Sequence, residues 1–218
     1  MKYKIIYEDE QIIVVDKPSG MLVIPTPKKE TNTLTDLLNR ELDERKLGIN
    51  AHPCHRLDRE TSGLIVYTKG KKNQQLMMEE FKKRAVKKAY IAFVHGLVEK
   101  NFGIIKKDIF NRNKNRKESA ETKYTVIERQ ENFTILEAVP VTGRTNQIRI
   151  HMKSLGHPLL GESVYAFRKD FAIKFKRVAL HAKKVEFTHP VTKERLSFES
   201  PLPEDMENFL KNRNGGIR

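Results

Sequence analysis

His55-Arg56-Leu57-Asp58-Arg59-Glu60-Thr61-Ser62-Gly63-Leu64 sets a carboxylate between two arginines in a polar stretch that runs directly into the apolar segment Leu64-Ile65-Val66-Tyr67. A short apolar run bounded by a polar, glycine-containing loop reads as a buried strand. Asp58 is therefore expected at the rim of a sheet, where a side chain can be held in place. Neighbouring cations favour the ionised form of a carboxylate, so Asp58 is expected to stay charged. On spacing alone, an Asp flanked by Arg equally describes a surface ion pair or a turn stabiliser.

Outward from this stretch, the periodicities predict a mixed α and β chain. Ile5-Ile6-Tyr7 and Ile12 to Val15 flank the polar turn Glu8-Asp9-Glu10 as a hairpin, followed by a Lys17-Pro18-Ser19-Gly20 turn. Leu34, Leu37, Leu38 and Leu42 recur at helical spacing behind the capping-type residues Thr31, Asn32 and Thr33. Asn73 to Ala85 reads as a helix with Met77, Phe81 and Ala85 on one face, and Val86 to Val94 as a strand. Ala120 to Glu128 and Phe133 to Val139 form a predicted β-pair, Thr145 to Leu155 a helix, and Val178 to Thr188 with Arg195 to Glu199 a hairpin. A last helix covers Glu204 to Asn212, and Asn111 to Glu118, polar and basic without apolar period, reads as an ordinary surface connection and is the best candidate for a mobile loop.

Composition narrows the partners. At 218 residues the chain can bury a full core, and no apolar run approaches the length of a membrane span. No signal-peptide pattern follows Met1, and a single cysteine, Cys54, rules out an intrachain disulfide, so the cytoplasm is the expected compartment. The net charge of +14 is concentrated in Lys69 to Lys72, Lys82 to Lys88 and Lys106 to Lys117, which points to a polyanion, nucleic acid first. His52-Pro53-Cys54-His55 lacks the further cysteine pair that a zinc deaminase needs. Gly143, Gly156 and Gly161 fit neither a P-loop nor a dinucleotide fingerprint.

Further segments fall in a recognisable order. His55-Arg56-Leu57-Asp58 with Thr61-Ser62-Gly63-Leu64 is followed by Lys88-Ala89-Tyr90-Ile91-Ala92, then by Thr142-Gly143-Arg144-Thr145-Asn146-Gln147-Ile148-Arg149-Ile150-His151. Gly156-His157-Pro158-Leu159-Leu160-Gly161-Glu162, Tyr165 and Leu180-His181-Ala182 complete the set. This ordered set resembles the RluA-type pseudouridine synthases over residues 10 to 200. Two departures stand out: Asn146 where the family often has His, and Glu162 where many members carry Asp. Many relatives also carry an N-terminal S4-type RNA-binding domain. Here the resemblance begins almost at Met1, so one catalytic domain over 1–218, with 213–218 a frayed tail, is expected to grip RNA itself.

The resemblance implies an α+β fold, a central mostly antiparallel sheet with flanking helices and a catalytic cleft. It implies isomerisation of uridine to pseudouridine in ribosomal RNA or tRNA by a monomer that needs no cofactor, metal or obligatory protein partner. Asp58 is the implied nucleophile, and a carboxylate suits the task because it can attack an electron-poor carbon and leave again. Arg149 is its implied basic partner, although periodicity alone describes an exposed helical arginine. Tyr90, by default a core tyrosine, is placed against the target uracil by the resemblance. Arg56 is implied to enter the RNA and fill the space of a flipped base, and Leu180 to form part of the apolar wall. A basic RNA-binding module without catalysis and a metal-dependent nuclease are the competing readings. Retention of Asp58, Tyr90 and Arg149 together opposes the first, and the lack of further carboxylates near Asp58 opposes the second.

Overall fold

Asp9 turns the chain between β1 (Lys4–Glu8) and β2 (Ile12–Lys17), its Oδ1 accepting the N–H groups of Gln11 and Ile12 at 2.8 Å each. This is how a short polar side chain stabilises a tight connection. The computed structural model describes residues 3–166 and 173–214. Its next elements are α1 (Leu34–Glu44), β3 (Ala51–Pro53), β4 (Ser62–Lys69), α2 (Lys71–Lys82) and β5 (Lys87–His95). Then come β6 (Phe102–Lys106), β7 (Ile109–Asn111), β8 (Arg116–Glu118), β9 (Glu121–Arg129) and β10 (Phe133–Pro140). The chain continues through α3 (Gln147–Ser154), β11 (Leu180–Thr188), β12 (Arg195–Glu199) and α4 (Glu204–Asn214).

One ten-stranded sheet carries the order β1-β2-β4-β11-β5-β10-β9-β6, with β12 paired to β11 and β3 to β4. The expected α+β, mostly antiparallel sheet is present, and the pairing of β4 with β11 is its one parallel ladder among the described residues. Both faces are covered, which explains the unbroken apolar run Ile12-Ile13-Val14-Val15. Successive strand residues point to opposite faces, so Ile13 and Val15 join Leu34, Leu38 and Leu42 of α1, while Ile12 and Val14 join Met77 and Phe81 of α2. Phe93 and Phe133 pack with Met206 and Phe209 of α4. Thr33 caps α1 in a reciprocal box with Asp36, which satisfies two otherwise orphaned N–H groups.

The parallel ladder fixes the site. His181 faces Ser62 and Ala182 faces Gly63, and a Cβ on Gly63, at φ +107, would run into the Ala182 backbone. Only glycine allows so close an approach. The Asp58 loop is thereby brought beside Leu180, more than a hundred residues later in the chain.

Four departures from the sequence reading have physical causes. α2 stops at Lys82 because Arg84 adopts φ 58 and the N–H groups of Arg84 and Ala85 fold back onto Phe81 and Glu80, so Ala85 leaves the helical face. α3 begins at Gln147, because Asn146 takes a left-handed conformation at its start. Asn111 to Glu118, read as a surface connection, is built as part of the hairpin β7–β8. Its base is held by Glu118, which pairs with Lys114 at 2.9 Å and Arg144 at 3.3 Å. α4 runs to Asn214, so Arg213 is helical and stacks 4.9 Å from the Phe209 ring; residues 215–218 of the expected tail lie outside the described residues.

Candidate active site

Asp58 sits in the loop between β3 and β4, and neighbouring segments clamp that loop. Lys17 is fully buried and its Nζ donates to the carbonyls of Pro18 and Met21, both at 2.9 Å, and of Arg59 at 3.2 Å. Gly20 N–H donates to the Arg59 carbonyl at 2.8 Å, and the Ser19 hydroxyl to that of Glu60 at 2.7 Å. Arg177, anchored by Asp205, donates to the same Glu60 carbonyl at 3.2 Å. The backbone just after Asp58 is thus fixed by four donors onto the Arg59 and Glu60 carbonyls, a form of preorganisation. Lys17 and Arg177 carry much of this support. The sequence signalled Lys17 only as part of a Lys-Pro turn and Arg177 not at all.

Arg149 projects from α3 toward the loop. Its guanidinium holds Glu162 in a bidentate pair at 2.7 and 2.8 Å and leaves Nη1 3.6 Å from Asp58 Oδ2. Glu162 is sealed from solvent, while Arg149 keeps 11% of its side chain exposed and Asp58 29%. Burial works to raise the Glu162 pKa, but the Arg149 hydrogen bonds, the Val164 N–H and the Arg149 charge outweigh it and hold the group below its usual range. Arg149 is therefore no exposed helical arginine but the centre of a Glu162–Arg149–Asp58 line.

Asn146, one turn before Arg149, also faces Asp58. Its amide nitrogen donates to Asp58 Oδ2 at 2.8 Å and Oδ1 at 3.0 Å, and its oxygen accepts from the Tyr165 hydroxyl at 3.1 Å. An ionised carboxylate only accepts, so the nitrogen must be the end that faces it.

The electrostatics of Asp58 are set by burial more than by its neighbours in sequence. Burial pushes its pKa upward, and the charges of Arg149 and Arg56 oppose that rise without cancelling it. Two flanking arginines in sequence do not guarantee two cations at the carboxylate, because Arg59 turns away to Glu30 at 3.8 Å.

These groups open on one cavity of about 680 Å³, lined among others by Arg56, Asp58, Lys88, Tyr90, Arg149 and Leu180. That volume suits a single nucleotide-sized ligand. Asp58, Tyr90 and Arg149, far apart in sequence, line this one cavity together with Leu180. Tyr90 is 7% exposed. Burial first, then the Asp58 charge, drives its phenol far above its ordinary pKa, so the hydroxyl stays protonated and can donate. Arg56 is exposed and forms no ion pair among the described residues. Lys88 points into the same cavity, with only the Phe81 ring, 5.7 Å away, as a cation–π neighbour.

His55 accepts the Val66 N–H at its Nε2, 3.1 Å away, and burial, then the Lys88 charge, pushes its pKa down to about 3. An unfolded His titrates near 6.5. Between these values the unfolded chain binds a proton that the native state refuses, so stability falls as pH falls, by at most about 1.4 kcal/mol per unit. Urea midpoints at pH 7, 6 and 5 are expected to decline along this slope and to decline less in His55→Gln, which keeps an acceptor but does not titrate. Equal slopes in the two proteins would assign the acid sensitivity elsewhere.

A mixed sheet with a carboxylate–arginine line at the floor of a nucleotide-sized cleft, ringed by basic residues, defines an enzyme site for a phosphate-bearing substrate. Residues 11–154 match the family described as RNA pseudouridylate synthase. The chain is 39% identical over 224 residues to "Uncharacterized RNA pseudouridine synthase YlyB" of Bacillus subtilis, covering 97% of this chain and 73% of that protein. It is 36% identical over 222 residues to "Ribosomal large subunit pseudouridine synthase D" of Nitrosomonas europaea, covering 95% of this chain and 64% of that protein. Among solved structures, "Human RNA Pseudouridylate Synthase Domain Containing 4" shares the fold with a TM-score of 0.82 at 23% identity, over 96% of this chain and 92% of the other. The chain belongs to the RNA pseudouridylate synthase family, and is accordingly an isomerase that acts on uridine in RNA.

Proposed function

We propose that this chain isomerises specific uridines of structured ribosomal RNA or tRNA, with Asp58 as nucleophile, as a single catalytic domain that works as a cytoplasmic monomer. The observation that carries the reading is the convergence of Asp58, Tyr90 and Arg149 on one cleft. A relative's name supplies the ribosomal alternative, "Ribosomal large subunit pseudouridine synthase D". Another, "Dual-specificity RNA pseudouridine synthase RluA" of Vibrio cholerae, is 37% identical over 197 residues.

The reaction breaks the bond between sugar C1′ and uracil N1, turns the base, joins C1′ to C5, and moves the C5 proton so that N1 ends protonated. Atoms and electrons balance within the nucleotide. Asp58 bonds transiently to the electron-poor carbon as the C1′–N1 bond breaks and is released when C1′ joins C5, and Arg149, locked on Glu162, keeps the carboxylate facing the cleft. Tyr90 and Leu180 pack the base within the cavity. Because the Tyr90 phenol is held protonated, it can accept the C5 proton only while handing on its own.

Pseudouridine maps of total RNA from cells with and without the gene test the reading. Loss of sites in ribosomal RNA or tRNA alone supports it, and unchanged maps would falsify it.

Arg56 extends from the catalytic loop, free to enter a helix and occupy the space of the extruded base. Arg56→Ala is expected to slow conversion of a folded RNA at least about tenfold more than that of a short, unstacked oligonucleotide. Equal losses on both assign Arg56 to the fold or the chemistry. Exposed Lys72, Lys87 and Arg112 on the surface supply sites for phosphates. RNA affinity is expected to fall on log–log axes by roughly 0.7 to 0.9 per phosphate neutralised as salt rises. Lys87→Glu should weaken different RNAs alike, since backbone contacts carry no sequence information. Binding that is flat in salt contradicts the electrostatic account.

A further inference from the structure

Asn146 holds the N-cap position of α3 at φ 54 and ψ 23, and its side chain makes no capping hydrogen bond to the helix backbone. Asn tolerates left-handed backbone better than most residues, and at a helix start its side chain ordinarily caps. Here the side chain turns away from the helix and reaches both oxygens of Asp58, at 2.8 and 3.0 Å. Arg149, at 3.6 Å, is an ion-pair partner beyond hydrogen-bond length. Among the described residues Asn146 is thus the side chain at hydrogen-bonding distance from the carboxylate. Its amide cannot swing freely, because the Tyr165 hydroxyl donates to its oxygen at 3.1 Å. Tyr165 is itself held, its ring 5.3 Å from the Arg149 guanidinium. Asp58, Asn146, Tyr165 and Arg149 close a circuit in which each group restrains the next.

We propose that Asn146, oriented by Tyr165, is the positioning residue of Asp58, fixing the rotation of its carboxylate and favouring its ionised form through two hydrogen bonds from one neutral amide. The proposal rests on Asp58 being the reactive carboxylate. A neutral donor suits a site that already contains Arg149, because it stabilises negative charge without adding a second cation that would pair with Asp58 and hold it from the substrate. The charged and titratable groups that face Asp58 are Arg149 from α3, with Glu162 behind it, Arg56 from its own loop, Tyr90 from β5 and Lys17 from β2. Variants at Asn146 and Tyr165 substitute none of these groups, and Tyr165→Phe keeps the ring that stacks on Arg149.

The test is the pH dependence of single-turnover conversion, with total RNA from cells lacking the gene as substrate and pseudouridine counted at the mapped sites. Its acid limb reports protonation of the nucleophile. Asn146→Gly removes the amide and relaxes the left-handed backbone, so it should fold and bind RNA within about twofold of wild type. Its limb is expected to move to higher pH by about one unit, with a plateau rate lower by roughly tenfold to a hundredfold. Asn146→Asp should shift the limb further, since two carboxylates that close cannot both ionise. Tyr165→Phe, which frees the amide, should shift it in the same direction by less. A purely structural role would lower the rate or the melting temperature and leave the limb in place. A limb at its wild-type position in folded Asn146→Gly overturns the proposal, and if that variant unfolds, Tyr165→Phe decides by the same criterion. Activity retained in Asp58→Asn would instead remove Asp58 as nucleophile, a failure of the preceding section that is visible separately.

Discussion

Asp58→Asn is expected to form no measurable pseudouridine, even with enzyme in excess over RNA, where a merely slow catalyst completes its turnover. Asn keeps the shape of Asp and one acceptor oxygen for the Asn146 amide, but lacks the charge and the nucleophilic oxygen. The variant should also be at least as stable as the parent. Burial raises the native pKa of Asp58, so between the unfolded and native values the folded protein binds more protons. Stability is then full below the unfolded pKa and is lost as pH rises through the native one. At neutral pH the ionised side chain therefore costs the fold stability, and its neutral isostere removes that cost. Loss of activity together with an equal or higher melting temperature and unchanged RNA affinity is the expected signature. A folded variant that converts uridine at near the wild-type rate removes Asp58 from its assigned role.

The second large effect belongs to Arg149. Glu162 is sealed from solvent and depends on the bidentate guanidinium for its charge, so Arg149→Met leaves a buried carboxylate with only the Val164 and Tyr165 N–H groups. Breaking one side of such a pair costs about 3–5 kcal/mol. Asp58 loses its nearest cation at the same time, so activity should vanish with stability. Adding Glu162→Gln to Arg149→Met is expected to restore much of the stability, because a neutral amide can stay buried on those two N–H groups, but none of the activity. Urea unfolding of the four proteins of this cycle gives the coupling directly. Additive losses would mean that the two side chains do not act as a pair.

The sequence by itself determined a good deal. Ile12 to Val15 across the turn from Ile5-Ile6-Tyr7 marks the first hairpin, because a short apolar run bounded by a polar turn is a strand. Leu34, Leu38 and Leu42 mark the face of α1, and Thr33 with Asp36 its start. The ordered motifs around Asp58, Tyr90, Arg149 and Leu180 carry the family, and with it the fold. These features are local, or lie within single segments whose residue types are constrained by backbone geometry and burial.

What the sequence did not contain is decided by contacts between distant segments. That Arg149 faces inward cannot be read from helical period, because its position is satisfied by Glu162, thirteen residues later, and not by the polarity of its own helix. The upward shift of the Asp58 pKa follows from how much of the tertiary structure covers it, which outweighs the arginines beside it in sequence. Asn146 reads as a swap of one polar residue for another until α3 is set against the β3–β4 loop; then one amide spans both carboxylate oxygens. The polar segment 111–118 becomes a hairpin because Glu118 meets Arg144 at its base. In each case the deciding energy is an ion pair, a hydrogen bond or a desolvation between groups the fold brings together, and such terms depend on separation in space, which separation along the chain does not specify.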